Sequence, residues 1–264
     1  MTTWTASRIK AAKGKQKLAC LTAYHFSTAR LVDEAGIELI LVGDSLGMTM
    51  LGYPNTIPVT VEEMLHHTKA VARGVRNALV VADLPFLSYE VSVDQAIATA
   101  GRFIKEGGAG AVKIEGGAFR APVVRALLEN GIPVLGHIGL TPQSIHKTGG
   151  YRVQGKGAAD ARRLLRDAKE LEKAGVFALV MECVPAALGG RITRSVKIPT
   201  IGIGAGPACD GQILVVHDLL GLYSGVSPRF VKQYANLGAA MGKAFAAYRG
   251  EVEQGKFPSA EHSY

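Results

Sequence analysis

The chain has 264 residues, of which 48% are hydrophobic and 20% are charged, a balance that is typical of a globular protein with a sizeable core. It has no apolar run of the roughly 18 residues that cross a bilayer and no apolar stretch of a secretory signal, so we expect a cytoplasmic protein without membrane contacts. The formal net charge is +8, but the basic residues are scattered, which argues against nucleic acid as a partner.

Eight short apolar runs, each followed by a longer helical pattern, organise the chain. The runs are continuous and do not alternate with polar residues, which indicates parallel strands that are covered on both faces. We predict these strands at residues 18–22, 39–43, 79–82, 111–114, 133–136, 178–181, 199–203 and 213–216.

Helical patterns lie between the strands, and several of them end at a glycine, as helices commonly do. Residues 1–16 predict an extra N-terminal helix that covers the bottom of the sheet, and residues 229–249 predict a helix in a C-terminal tail. The helices between the strands are predicted at residues 27–35, 60–73, 92–106, 121–130, 158–174 and 186–195.

The alternation of strands and helices is typical of an α/β fold with a parallel sheet. Eight units in roughly 220 residues fit a closed (β/α)8 TIM barrel. We predict this barrel as a single domain over residues 1–264, although an open doubly wound sheet would alternate in the same way. Segments 46–59 and 141–157 are long for loops that follow strands, so we expect them beside the binding site.

Polar and ionisable residues follow five neighbouring strands at the points where those strands end. Active sites of barrel enzymes lie at the carboxyl ends of the strands, so we expect these side chains to share one mouth. In chain order they are Asp44, Ser45, Asp83, Lys113, Glu115, His137 and Glu182.

Three of these residues, Asp44, Asp83 and Glu115, form a set of oxygen ligands. Oxygen ligands favour a hard cation, and a site that leaves room for water and substrate favours Mg²⁺. The three cysteines show no metal-ligand spacing, so a zinc site is not predicted. The alternative for each carboxylate is a helix cap or an ion pair with Lys or Arg.

Lys113, Glu182 and His137 have candidate roles toward a substrate. Lys113 lies two residues before Glu115 on the same side of the strand, where it can hold a substrate oxygen or pair with Glu115. Glu182 follows an apolar run, and burial raises the pKa of a carboxyl group, which suits a general base; a cap or a salt bridge is the alternative. His137 can donate a hydrogen bond to a substrate or serve a structural role.

With these residues in view, the chain resembles the ketopantoate hydroxymethyltransferase family. The motifs that carry the resemblance run in the order of the family from about residue 17 to residue 230, and together they are far more specific than any one alone. They lie at residues 21–24, 41–49, 82–86, 112–117, 136–144, 182–185, 201–206 and 210–212.

The resemblance implies transfer of a one-carbon unit from 5,10-methylenetetrahydrofolate to 3-methyl-2-oxobutanoate, which gives 2-dehydropantoate in pantothenate biosynthesis. It implies that Glu182 accepts a proton, that a Mg²⁺-stabilised enolate forms, and that the subunits assemble as a homodecamer. It assigns one Mg²⁺ per subunit to Asp44, Asp83 and Glu115, and the 2-oxo acid to Asp44, Ser45, Asp83 and Lys113, with His137 as a further candidate.

Another enzyme class competes with this interpretation. A magnesium-dependent lyase or mutase of the phosphoenolpyruvate mutase and isocitrate lyase type would share a barrel and a metal-bound oxo acid. The sequence lacks the cysteine-bearing lyase loop of that group. A requirement for folate would separate the two classes.

Overall fold

Eight parallel strands close into a barrel in the order in which they occur along the chain. The structure, a computed structural model, describes residues 3–222 and 228–264. Its closed barrel confirms the predicted (β/α)8 fold and excludes the open sheet. The strands are β1 (Leu18–Thr22), β2 (Leu39–Val42), β3 (Leu79–Asp83), β4 (Ala111–Glu115), β5 (Val134–Gly139), β6 (Ala178–Glu182), β7 (Thr200–Ile203) and β8 (Gly211–Leu214).

All eight predicted strands are present, with small shifts at their ends. Strands β3, β4 and β6 each run one residue further than predicted, so Asp83, Glu115 and Glu182 are the last residues of their strands. Strand β8 begins two residues earlier than predicted, because Gly211 pairs with Leu18 where β8 closes the barrel against β1.

The predicted helices between the strands are also present, and two short ones are added. Helix α4 (Val61–Gly74) begins with a capping box, in which Glu63 N donates to Thr60 Oγ1 (3.2 Å) and Thr60 N donates to Glu63 Oε2 (2.7 Å). The helices of this part are α1 (Ala6–Ala11), α2 (Phe26–Glu34), α3 (Leu46–Thr49), α4 (Val61–Gly74), α5 (Val93–Lys105), α6 (Ala121–Glu129), α7 (Ile145–Thr148), α8 (Ala158–Ala174) and α9 (Ala186–Ser195).

The N-terminal helix closes the amino end of the barrel. It covers Ala6–Ala11, which is shorter than the predicted 1–16, and residues 1 and 2 lie outside the described part of the chain. Ile9 is fully buried in a cluster of apolar side chains. This cluster contains the first residues of several strands, among them Leu18, Leu39, Leu79, Ala111 and Ala178.

The chain divides into two units, Met1–Val215 with the barrel and Val216–Tyr264 with the tail. The tail contains α10 (Val216–Leu219) and α11 (Leu237–Glu253). Helix α11 begins eight residues later than the predicted 229–249, after Asn236, whose side chain accepts a hydrogen bond from Ala239 N (3.3 Å). No helix in the described part of the chain is long and apolar enough to cross a membrane. The single domain over residues 1–264 stays a prediction.

Candidate active site

Charged side chains fill the barrel at the carboxyl ends of its strands. Residues i and i+2 of a strand face the same side. His137 therefore faces the barrel interior like Leu135 of β5, and Glu182 faces it like Val180 of β6. All seven predicted site residues lie at this end of the strands. Buried among them are Asp44, Asp83, Lys113, Glu115 and His137, whereas Ser45 and Glu182 are partly exposed.

Lys113 lies at the centre of this cluster. Its Nζ atom is 2.6 Å from Asp83 Oδ1 and 3.5 Å from Glu115 Oε1. Burial lowers the pKa of Lys113, but the charges of Asp83 and Glu115 outweigh burial and hold the pKa above its ordinary value. The ammonium group is therefore charged at neutral pH. The ion pair between Lys113 and Glu115 that the sequence suggested is present, and Lys113 makes a shorter ion pair with Asp83.

The three carboxylates carry more negative charge than one lysine balances. Burial and the charge of Asp83 raise the pKa of Asp44 to about 7. Burial also raises the pKa of Glu115 well above its usual range, although Lys113 acts against this. Both shifts reflect the cost of ionised carboxylates in a buried site. A further cation at this position would offset their repulsion and keep them ionised.

The available donor atoms fit a hard divalent cation. Asp83 Oδ1 is buried and accepts no well-directed hydrogen bond, although Lys113 Nζ lies 2.6 Å away. Among residues 3–222 and 228–264, no three His, Cys, Asp or Glu side chains are arranged as joint ligands of one ion. Mg²⁺ does not need such a trio, because it keeps several waters and takes one or two carboxylates beside its substrate. Asp44 and Asp83 meet that requirement.

His137 links the lysine to the glutamate of β6. Its Nδ1 atom is 3.1 Å from Lys113 Nζ, and its Nε2 atom is 3.3 Å from Glu182 Oε2. Burial and the charge of Lys113 lower the pKa of His137 well below its usual value, so the imidazole is neutral. Since an ammonium group only donates, Nδ1 accepts and the ring proton is on Nε2. This N–H makes no well-directed bond to a described residue and is available to a substrate.

Glu182 stands where the backbone turns sharply at the end of β6. The next residue, Cys183, has a φ of 48°, in the left-handed region that residues with a side chain seldom adopt. Cys183 N donates to Ile203 O (2.9 Å), and Cys183 O accepts from Gln154 N (2.8 Å), so both sides of the turn are held. Burial raises the pKa of Glu182 to about 7, against the opposing charge of Lys113. Such a carboxylate suits a general base at neutral pH.

Ser45 and Asp83 approach each other across a glycine. A Cβ atom at Gly43 would lie 2.9 Å from Ser45 Oγ and 3.4 Å from Asp83 Oδ2, so a larger residue there would displace the Ser45 hydroxyl group and lie against Asp83. Asp44 N donates to Asp83 Oδ2 (3.1 Å), and Ser45 Oγ is 2.8 Å from Tyr24 Oη. The turn after β2 is thereby tied to the end of β3.

Comparison with known proteins agrees with the family expected from the motifs. The chain matches the family model of ketopantoate hydroxymethyltransferase over residues 3–260. The chain belongs to this family. Two relatives named 3-methyl-2-oxobutanoate hydroxymethyltransferase are 58% identical to it: one from Moorella thermoacetica, over 98% of this chain and 97% of the relative, and one from Clostridium novyi, over 97% and 93%. The protein is accordingly a hydroxymethyltransferase.

Solved structures outside this family share the hydroxymethyltransferase fold. A crystal structure of phosphonopyruvate hydrolase with oxalate and Mg²⁺ has a TM-score of 0.63 at 14% identity, over 99% of this chain and 93% of that chain. A crystal structure of 2,3-dimethylmalate lyase, of the PEP mutase/isocitrate lyase superfamily, has a TM-score of 0.61 at 15% identity, over 100% and 93%. At such low identity the likeness concerns the barrel fold.

The candidate site also contains two uncharged residues that the sequence analysis did not select. Gln143 donates a hydrogen bond from Nε2 to Asp44 Oδ2 (2.9 Å), and Tyr89 Oη donates to Gln143 Oε1 (2.6 Å). Gln143 lies within the motif at residues 136–144, which was the only signal for it. Tyr89 lies outside all the motifs.

Proposed function

We propose that this hydroxymethyltransferase transfers a one-carbon unit from 5,10-methylenetetrahydrofolate to 3-methyl-2-oxobutanoate and releases 2-dehydropantoate, in pantothenate biosynthesis. The names and the near full-length identity of the relatives support this acceptor. The observation that carries the proposal is the barrel mouth, where a charged lysine, three carboxylates, a neutral histidine and a glutamate with a pKa of about 7 converge. The folate donor rests on the resemblance to the family.

The 2-oxo acid is an anion, and in the proposed complex it lies beside Asp44, Ser45, Asp83 and Lys113. Lys113 provides positive charge in a buried place, where attraction to an anion is stronger than in water. The hydroxyl group of Ser45 and the Nε2–H group of His137 are uncharged donors that orient the substrate oxygens. The neutral state of His137 means that it donates without adding charge.

A magnesium ion held by Asp44, Asp83 and Glu115, one per subunit, supplies Lewis-acid polarisation of the keto group when bound. The two oxygens of Glu115 already have partners, since Lys113 Nζ is 3.5 Å from Oε1 and Gln143 N donates to Oε2 (3.1 Å). Asp83 is placed similarly, since Lys113 Nζ is 2.6 Å from Oδ1 and Asp44 N donates to Oδ2 (3.1 Å). Asp44, whose Oδ2 accepts from Gln143, is therefore the better source of a free lone pair. In this proposal Glu115 contributes mainly negative charge.

Glu182 removes the proton from C3 of the acceptor. The C3–H bond breaks, its electron pair becomes the enolate, and the proton moves to the carboxylate. Burial raises the pKa of Glu182 to about 7, which makes the carboxylate a stronger base than an exposed glutamate. His137 Nε2 lies 3.3 Å from this carboxylate without a well-directed hydrogen bond to it. The enolate carbon then forms a bond to the methylene carbon, both bonds from that carbon to the folate nitrogens break, and water supplies the hydroxyl group. The C3 proton and the second proton of the water end on the two nitrogens, and tetrahydrofolate leaves.

Exchange of the C3 proton for solvent deuterium tests the role of Glu182 without the folate donor. We expect the wild-type enzyme with Mg²⁺ to catalyse this exchange. Glu182→Gln keeps the size of the side chain and loses the base, so exchange should slow by about 10²- to 10⁴-fold. Glu129→Gln, at an exposed residue of α6, is the matched control and should exchange at the wild-type rate.

Binding of the oxo acid to Glu182→Gln with exchange at the wild-type rate would refute the base assignment. The whole reaction is tested by an assay of 2-dehydropantoate formation with and without Mg²⁺ and methylenetetrahydrofolate. Product should depend on both. Consumption of the oxo acid without the folate and without formation of 2-dehydropantoate would instead favour the alternative, a magnesium-dependent lyase of the phosphoenolpyruvate mutase and isocitrate lyase type, which shares the barrel fold.

A homodecamer and a cytoplasmic location complete the proposal. Helix α11 carries an exposed apolar stripe at spacings of three and four residues, which is the pattern of a helix that packs against another surface. Sedimentation velocity would measure the size of the assembly directly. The stripe consists of Leu237, Met241, Phe245, Tyr248 and Val252.

A further inference from the structure

We propose that Gln143, held in place by Tyr89, is a positioning residue that aims the carboxylates of Asp44 and Glu115 into the barrel mouth. The inference rests on the proposed function, because Asp44 and Glu115 belong to the proposed magnesium site. Gln143 lies in the 3-10 turn Pro142–Ser144, which follows β5. It has no charge and cannot itself transfer a proton, so its effect on the reaction passes through the groups that it contacts.

The side-chain amide of Gln143 is buried, and both its N–H donors and its oxygen have partners. Nε2 donates to Asp44 Oδ2 (2.9 Å) and to the main-chain oxygen of Leu84 (2.9 Å), while Oε1 accepts from Tyr89 Oη (2.6 Å). Two acceptors on one side and a hydroxyl donor on the other determine which way the amide points. The N–H group that faces Asp44 is therefore held in one direction.

The main chain of the same residue contacts a second carboxylate. Gln143 N donates to Glu115 Oε2 (3.1 Å). Gln143 thus fixes the rotation of two of the three carboxylates, one through its side chain and one through its backbone. Asp44 Oδ1 receives no hydrogen bond from the described residues, so the oxygen opposite the Gln143 contact is the one left for a ligand.

Tyr89 connects Gln143 to the end of β4. Its hydroxyl group donates to Gln143 and accepts from Glu115 N (3.1 Å). The guanidinium group of Arg120 lies over the Tyr89 ring at 4.8 Å, and Arg120 Nε donates to Glu115 O (3.3 Å). The tyrosine is buried and has little freedom to move. Removing its hydroxyl group would leave Gln143 Oε1 without a donor.

Loss of this support should appear first as weaker metal binding. Removing a hydrogen-bond partner of a metal-ligating group typically lowers metal affinity by about 10- to 100-fold. Gln143→Met keeps a similar length and removes both donors of the amide, and Tyr89→Phe removes one oxygen atom. We expect the larger loss in Gln143→Met, because only that change removes a direct contact with Asp44.

The test measures the binding of Mn²⁺, as a paramagnetic substitute for Mg²⁺, to the full-length enzyme without substrates, by electron paramagnetic resonance. Two matched controls carry the same substitutions elsewhere. In Gln95→Met the lost contacts are to backbone groups of Leu87 and Val91, and in Tyr53→Phe the lost contact is a 2.6 Å hydrogen bond to Glu63. Circular dichroism and the Tm of each variant report on folding.

Mn²⁺ affinity about 10- to 100-fold weaker in Gln143→Met, with both controls near wild type, supports the inference. Activity of that variant should then recover as Mg²⁺ is raised, which a general loss of structure would not produce. Affinity within about twofold of wild type would overturn the inference while leaving the proposed function intact. If Gln143→Met does not fold, Tyr89→Phe decides by the same criterion. Wild-type enzyme that binds no Mn²⁺ would overturn the proposed metal site itself, and the inference with it.

Discussion

The pH dependence of C3 proton exchange is a direct check on the electrostatics of the barrel mouth. A general base must be ionised to act, so exchange should be lost as pH falls through its pKa. Burial places the pKa of Glu182 at about 7. From pH 7 to pH 5 the ionised fraction then falls from roughly one half to about 1%. The exchange rate should therefore fall by about 50-fold.

A glutamate with an ordinary pKa would behave differently. With a pKa of about 4.3, roughly four fifths of the side chains stay ionised at pH 5, and the rate would fall by less than about twofold. The two outcomes are far enough apart to be distinguished in one titration. The exchange rate should fall only on the acidic side of the pH profile, because Glu182 is already ionised at higher pH.

The exchange assay needs two precautions to isolate Glu182. Substrate is kept below its KM, so that the profile reports groups of the enzyme before substrate binds. Mg²⁺ is raised at each pH until the rate no longer responds, which removes any effect of weaker metal binding in acid. An exchange rate that stays flat from pH 7 to pH 5 under these conditions would refute the raised pKa of Glu182.

Two further predictions concern stability. Asp33 is buried and accepts hydrogen bonds from the backbone N–H groups of residues 76–78; burial raises its pKa, but these bonds outweigh burial and lower it. Asp33→Asn should lose about 2–4 kcal/mol of unfolding free energy. Because the pKa of Asp33 is lowered, the fold stabilises its ionised form, so the difference in unfolding free energy between wild type and Asp33→Asn should shrink in urea unfolding as acid protonates Asp33 in the folded protein. A difference that stays constant with pH would contradict this. The exposed Asp94→Asn is the control. Ile9→Ala should cost about 2–5 kcal/mol by leaving a cavity at the amino end of the barrel, whereas Leu31→Ala, at an exposed position, should change stability little.

The charged part of the site could be predicted because it depends on two regular features. In a parallel barrel all strands point the same way, so the residue that ends each strand lies at one mouth. Within a strand the side chains alternate, so Lys113 and Glu115 share a face. Together these two rules predict from the sequence that Asp83, Lys113 and Glu182 lie at the same mouth.

The neutral residues of the site could not be predicted in this way. Gln143 and Tyr89 lie on segments that follow strands, and the path of such a segment depends on contacts with distant parts of the chain. Tyr89 and Gln143 are 54 positions apart and meet through one 2.6 Å hydrogen bond. The start of β8 could not be predicted for a similar reason, because it depends on the pairing of Gly211 with Leu18, at the other end of the sequence of the barrel unit.

The two ends of the barrel interior illustrate a division between stability and chemistry. At the amino end, strand residues such as Leu39 and Leu79 pack with Ile9 in an apolar cluster. At the carboxyl end, the same inward faces carry carboxylates around Lys113. Buried ion pairs stabilise a fold poorly, because desolvation can exceed the attraction between the charges, and apolar side chains of similar size often do better. A charged cluster in this position is therefore hard to explain by stability alone, and a task that needs charge, such as holding a cation and an anionic substrate, accounts for it.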